Sequence, residues 1–313
     1  MKRTTKTETN ESAIRRNQAA EKLAGYFIAA LEKGVAPWRK TWTGGGSPCN
    51  LDGKRYRGIN RIFLAWMMDE HGFESPFFLT FTRIQALGGR IRKGQHGFPV
   101  VFWKTYDKTV KRTNEDGEEE EVLKKAGVWR HYYVWNIAQC EIPADALPEA
   151  VQDWNGKRRE PLTVPAEIEA AGEAVWQGYA NPPKRLPEQG ASAYYSPAVD
   201  AIQLPPRANF DSAEAYYSTL FHEMTHSTGH ASRLNRLVKA AAFGTDAYGR
   251  EELVAEMGAA LLCQRAGFLA ATQGDSASYL GAWVDTIKAQ PSILLSAASA
   301  AQKAVDWICG EEE

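Results

Sequence analysis

His222-Glu223-Met224-Thr225-His226 is the stretch on which the reading of this chain turns. Residues at i and i+4 of an α-helix project from one face, a turn apart. Two imidazoles so placed grip one tetrahedral metal ion, and the glutamate beside the first reaches a water on that ion. The flanking sequence predicts a helix over residues 212–228. Asp211 and Glu214 form a D-x-x-E capping signal, Tyr217, Leu220, Phe221 and Met224 supply apolar anchors, and Gly229 offers a stop. Three of the chain's six histidines fall between positions 222 and 230, which sets the motif apart from a chance match. The chemistry implied is hydrolysis, with Glu223 as the catalytic base that takes up the water's proton. Zn2+ is the expected ion, and Mn2+ is a second divalent candidate. Tyr194, Tyr195 and Tyr248 are candidates for stabilising an oxyanion. The Ala201–Leu204 strand is a candidate edge for pairing with an extended peptide.

A third ligand has to come from elsewhere. Glu252-Leu253-Val254-Ala255-Glu256 begins 26 residues beyond His226, inside a helix expected over 250–266. The segment resembles the E-x-x-A-[D/N] segment of gluzincin peptidases, in which the first acid binds zinc and the residue four later steadies a ligand histidine. The resemblance implies Glu252 as the third metal ligand. It also implies Glu256 as the carboxylate behind an imidazole, where such a group fixes the tautomer and the ring orientation. His230 is the competing third ligand. Gly229 stands where the metzincin pattern H-E-x-x-H-x-x-G-x-x-H has its glycine, but the last position of that pattern is Ser232 here.

Working outward, 313 residues are enough for two domains. Residues 1–16 read as a disordered N-terminal tail, polar, charged and without apolar periodicity. Residues 17–143 read as an α+β domain. It has an amphipathic helix over 17–33, a helix over 58–70, and two strands, 98–103 and 128–137, flanking the acidic run Glu115–Glu121 as a loop. Residues 144–162 read as a linker, and 163–313 as a mostly helical domain with helices over 212–228, 250–266 and 276–308. The fold class is therefore α+β. The four cysteines lie far apart with no C-x-x-C pair, which argues against a disulfide framework and against a cysteine metal site. No apolar run approaches the roughly 20 residues of a membrane span, and no secretory signal opens the chain. The expected setting is the cytoplasm, with no membrane partner.

The net charge of −1 hides an asymmetry. The first 142 residues hold 24 Lys and Arg against 16 Asp and Glu, a balance of +8, and the remainder is correspondingly acidic. Such a basic field attracts polyanions. Cations and aromatics alternate closely at Trp38-Arg39-Lys40, Arg55-Tyr56-Arg57 with Asn60, Arg90-Ile91-Arg92-Lys93 and Trp103-Lys104. This combination suits single-stranded DNA, because cations follow the phosphates while aromatic faces stack on unpaired bases. Trp38 and Tyr56, flanked by charges and glycines, are expected at the surface. Trp66 and Trp135, inside apolar runs, are expected in the core.

These same segments carry a resemblance. Gly34-Val35-Ala36-Pro37-Trp38-Arg39-Lys40, Tyr56-Arg57-Gly58-Ile59-Asn60, Leu87-Gly88-Gly89, Arg92-Lys93-Gly94 and Val134-Trp135-Asn136-Ile137 look like the N-terminal domain of the ArdC antirestriction family. Ala193-Tyr194-Tyr195-Ser196-Pro197 and the region from His222 to Glu256 resemble the zincin-like half of the same proteins. The resemblance implies single-stranded DNA binding by the first domain and a gluzincin-type metallopeptidase in the second. It further implies protection of incoming DNA from host restriction, with the protein substrate unidentified. A competing reading is a DNA-binding shield or primase accessory whose metal site is structural.

Overall fold

In the first half, the two longer helices are each built from buried apolar residues with a defined stop. The structure, a computed structural model, describes residues 20–40, 46–113, 119–152, 154, 162–237, 246–270 and 277–311. The expected tail at 1–16 and part of the expected linker, 153 and 155–161, lie outside these residues. Helix α1 (20–31) buries Leu23, Phe27, Ala30 and Leu31, which recur at helical spacing, and Gly34 follows it at a φ of +77°. Helix α2 (Gly58–His71) is buried along most of its length, from Ile59 to Met68, and ends on Gly72 in the left-handed conformation. Strand β1 (Phe78–Thr80) leads directly into α3 (Phe81–Ala86), whose N-terminus is capped by the Thr80 side chain accepting from the Arg83 amide. After β2 (Arg90–Ile91) comes a long antiparallel hairpin, β3 (Phe98–Thr113) and β4 (Glu119–Asn136). The sheet order is β1-β4-β3, and β2 pairs separately with β5 (Cys140–Glu141). The short α4 (Glu149–Gln152) closes this half.

The second half contains α5 (Pro165–Gln177), β6 (Lys184–Arg185), β7 (Tyr194–Ser196) and β8 (Ala201–Gln203). Four helices follow: α6 (Ala213–Ser227), α7 (Asp246–Ala266), α8 (Ala277–Ala289) and α9 (Ser292–Cys309). One buried cluster draws on both halves. Phe27, Trp38 and Phe63 join it from the first, and Leu253, Trp283, Leu294 and Ala298 from the second.

The structure revises several local expectations. The strands of the hairpin are much longer than their apolar runs, so Glu119, Glu120 and Glu121 open β4 instead of lying in a loop. The expected helix over 276–308 is two helices, because Pro291 has no amide hydrogen and disfavours a helical residue before it. The cap of α6 is Ser212, whose hydroxyl accepts from the Ala215 amide, and not Asp211. Strand β8 is the middle strand of the order β6-β8-β7, with all three residues buried, so it offers no free edge; β6 and β7 are the outer strands.

Helices α6 and α7 pack face to face. A Cβ at Gly258 of α7 would lie 2.4 Å from the Thr225 Cγ2 of α6, so the two backbones approach as closely as a glycine permits.

Candidate metal centre

Helix α6 presents His222 and His226 one turn apart, and α7 presents Glu251, Glu252 and Glu256 across from them. The Nε2 atoms of the two histidines are 3.1 Å apart. Glu252 completes a triangle: its Oε2 is 3.5 Å from Nε2 of His222 and its Oε1 is 3.5 Å from Nε2 of His226. Among the described residues these three side chains form the one group whose donor atoms lie within 4.8 Å of one another.

The far sides of both imidazoles also face carboxylates. Nδ1 of His222 is 3.7 Å from Oε1 of Glu256, and Nδ1 of His226 is 3.3 Å from Oε1 of Glu251. Glu251 is itself gripped by Arg236, whose Nε donates to Oε2 at 2.8 Å and whose Nη2 donates to Oε1 at 2.7 Å. The same guanidinium donates to the Thr225 carbonyl and the Thr228 hydroxyl at the end of α6. Sequence reasoning missed Glu251 and Arg236. The only available signal was an acid beside Glu252; Arg236 lies beyond the motif helix, and its contact with Glu251 depends on the tertiary fold.

Charge at the centre follows from this geometry. Burial pushes the Glu252 carboxyl toward the neutral form, but the two imidazoles overcome this and hold its pKa well below the usual carboxylate range. Burial likewise opposes ionisation of Glu251, and His226 and Arg236 reverse it, leaving the pKa lowered. Burial lowers the pKa of His226, while Glu251, Glu252 and Glu223 outweigh it and raise the pKa to about 10. The centre therefore concentrates negative charge around two imidazoles, an environment that attracts a cation.

Glu223 is 7% exposed and lines a cavity of about 360 Å³ together with His222 and Glu256. Ala191, Ala193 and Ala260 contribute small side chains to the wall. Residues 191–193 run into β7, so one of the two outer strands of the sheet borders the cavity.

Other sequence candidates are placed elsewhere. His230 stands apart from the triangle, and its Nδ1 is 2.8 Å from the Ser232 hydroxyl. The Tyr195 hydroxyl donates to Asp200, which also pairs with the buried Arg233, so this tyrosine is committed to a structural network. Tyr194 is 47% exposed, and the Tyr248 side chain lies outside the described residues.

The candidate DNA residues divide in the same way. Trp38 is completely buried, which overturns its expected surface position: it stacks on Phe27 and meets Trp283 edge-on. Tyr56 is half-buried, with its ring against Phe78. Asn60 is occupied by the backbone of β3, its Nδ2 donating to the Val101 carbonyl and its Oδ1 accepting from the Val101 amide. Arg57 pairs with the buried Asp306 of α9, joining the two halves. Arg55 and Lys93 are exposed; Arg90 and Arg92 are exposed and both face Glu141. The side chains of Arg39, Lys40 and Trp103 lie outside the described residues.

Comparison with known proteins bears on the whole chain. Residues 17–135 match the N-terminal domain of anti-restriction factor ArdC, and residues 179–300 match a zincin-like metallopeptidase domain. The chain is similar to the antirestriction ArdC protein from the R388 plasmid, solved metal-free, with a TM-score of 0.66 and 32% identity, covering 94% of this chain and 99% of that one. The Mn(II)-bound structure of that protein matches with the same TM-score and identity over 92% and 96% of the two chains. An uncharacterized protein, y4eC of Sinorhizobium fredii, is 30% identical over 303 residues, 93% of this chain and 92% of that protein. DNA primase TraC of Escherichia coli is 30% identical over 309 residues, which span 94% of this chain and a fifth, 20%, of TraC.

Proposed function

Because this chain belongs to the ArdC antirestriction family, we propose that it binds single-stranded DNA through its first half, up to about Pro143, and holds a divalent metal with His222, His226 and Glu252. With that metal it hydrolyses a bond in a protein substrate, and so protects incoming DNA from restriction. The observation that carries the proposal is the triangle of two Nε2 atoms and one carboxylate beside Glu223.

The donor set fits a divalent ion. Two imidazoles and a carboxylate leave a coordination position open, as hydrolytic sites of this type require. The R388 protein, solved with Mn(II), widens the choice of ion beyond zinc. When bound, the ion supplies Lewis acidity toward water and a carbonyl oxygen. The remaining work falls to the chain itself. Glu251 accepts from Nδ1 of His226 and Glu256 faces Nδ1 of His222 at 3.7 Å, which favours the tautomers whose Nε2 lone pairs aim inward. Glu223, at the cavity wall, takes a proton from water and delivers it to a leaving amine. Small side chains beside β7 leave room for an extended peptide along that outer strand.

The test uses wild type and Glu223→Gln. Both are expected to carry about one ion per chain by elemental analysis. Only wild type is expected to cleave a DNA-associated protein and to protect unmodified DNA entering a restricting cell. Full protection by Glu223→Gln would remove the peptidase and leave a DNA-binding shield.

A further inference from the structure

The β1-β4-β3 sheet has one face in the core, with Phe98, Val100 and Val134 buried on it. The other face of such a sheet usually carries polar residues. Here it carries rings. His131, Tyr133 and Trp135 occupy alternate positions of β4 and so share that face, and Phe81 follows β1 beside them. Ring centroids are separated by 6.3 Å from Phe81 to Trp135, 6.5 Å from Trp135 to Tyr133 and 6.1 Å from Tyr133 to His131. Phe81 is 49% exposed and Tyr133 is 38% exposed.

Cations border the row at both ends. Lys22 of α1 donates to the Tyr133 hydroxyl at 2.7 Å and lies 5.2 Å from the ring centroid. At the other end, the loop carrying Arg92 and Lys93 is tied to the end of β4. Gln139 donates to Gln95 and to the His96 carbonyl, and a Cβ at Gly97 would lie 2.7 Å from the Trp135 indole. The Trp135 indole, expected in the core, is half-buried: it packs against the cluster around Leu79 and Ile84 and against the bare backbone of Gly97, with the basic loop leading into that glycine.

We infer that Phe81, Trp135, Tyr133 and His131 form the stacking surface for single-stranded nucleic acid, with Lys22, Arg92 and Lys93 meeting its phosphates. This rests on the DNA-binding reading above and gives it a location that Trp38 cannot provide. The occupant follows from chemistry: two exposed rings, Phe81 and Tyr133, flanked by the half-buried Trp135 and His131, take unpaired bases, and a basic border takes phosphates. Bases in a duplex are already stacked on one another and compete poorly for the same rings.

The experiment measures fluorescence anisotropy of a labelled oligo-dT strand, and of a labelled duplex, with the full-length protein. Phe81→Ala and Tyr133→Ala are each expected to weaken single-strand binding about 5- to 150-fold, which is about 1–3 kcal/mol per lost stack. Tyr133→Phe, which keeps the ring, is expected to keep most of the affinity. Trp307→Ala, which removes an exposed aromatic from α9, is expected to change nothing. If Tyr133→Ala does not fold, Phe81→Ala carries the test alone, since that side chain is half exposed. Wild-type affinity in both alanine variants would overturn this surface and leave DNA binding standing; a wild type that ignores single strands would remove the underlying reading as well.

Discussion

Glu251→Gln isolates the support behind one metal-side imidazole. The substitution keeps the shape of the side chain and removes its charge. In the native arrangement Oε1 sits 3.3 Å from Nδ1 of His226, and both carboxylate oxygens accept from Arg236. A glutamine retains one acceptor and turns an NH2 toward Arg236 or toward the imidazole, so one of those contacts is lost. Removing a carboxylate behind a ligand histidine typically lowers metal affinity 10- to 100-fold, or about 1.4–2.8 kcal/mol at 1.4 kcal/mol per decade. The upper part of that range applies here, because the side chains of His226 and Glu251 are only 13% and 15% exposed and water screens them weakly. Competition against a chromogenic chelator, run with Zn2+ and with Mn2+, measures the change, and His230→Ala serves as the comparison. Unchanged affinity in Glu251→Gln, or an equal loss in His230→Ala, would show that Glu251 does not support the His226 imidazole.

Two further predictions concern folding. Trp38→Ala is expected to destabilise the protein by about 3–5 kcal/mol in urea denaturation, as for other large core truncations, while the folded fraction keeps its affinity for single-stranded DNA. Glu173 should make stability pH-dependent: burial raises its pKa, but Arg185, Tyr217 and Arg207 hold the folded value below the ordinary 4.5. Its contribution is therefore complete above the ordinary carboxylate range and is lost as pH falls through the folded value. The stability gap between wild type and Glu173→Gln, followed by thermal melts, is expected to narrow on acidification; a constant gap would count against the network.

How much of this was legible in the sequence depended on how local each signal was. The His222–His226 pair is a helix-periodic feature, and the structure puts it on a helix of nearly the expected length. Glu252 was reached through a resemblance, and it does face both imidazoles. Trp38 was misjudged because its neighbours Arg39 and Lys40 suggested solvent, whereas its contacts Phe27 and Trp283 come from α1 and from α8, hundreds of residues away in the latter case. The aromatic face of β4 was hidden for another reason. His131-Tyr132-Tyr133-Val134-Trp135 is apolar or aromatic on both faces of the strand, so no alternation marks which side meets the core. The pairing of Asn60 with the Val101 backbone was not visible either, because an asparagine side chain pairs as well with a strand backbone as with a base, and only tertiary placement decides which.

The contact between Gly258 and Thr225 has a consequence for ion size. Two helices supply the three donors, so the gap that an ion must span is fixed by how far apart those helices lie. That separation is constrained at Gly258, six residues beyond Glu252, by packing against Thr225, which is not one of the three candidate donors. The interval between α6 and α7 thus works as a gauge: a single methyl group at position 258 would widen it and favour longer metal–ligand bonds. The spacing of the candidate donors is then tied to a steric contact outside the His222, His226 and Glu252 triangle, where neither charge nor donor chemistry would lead one to look.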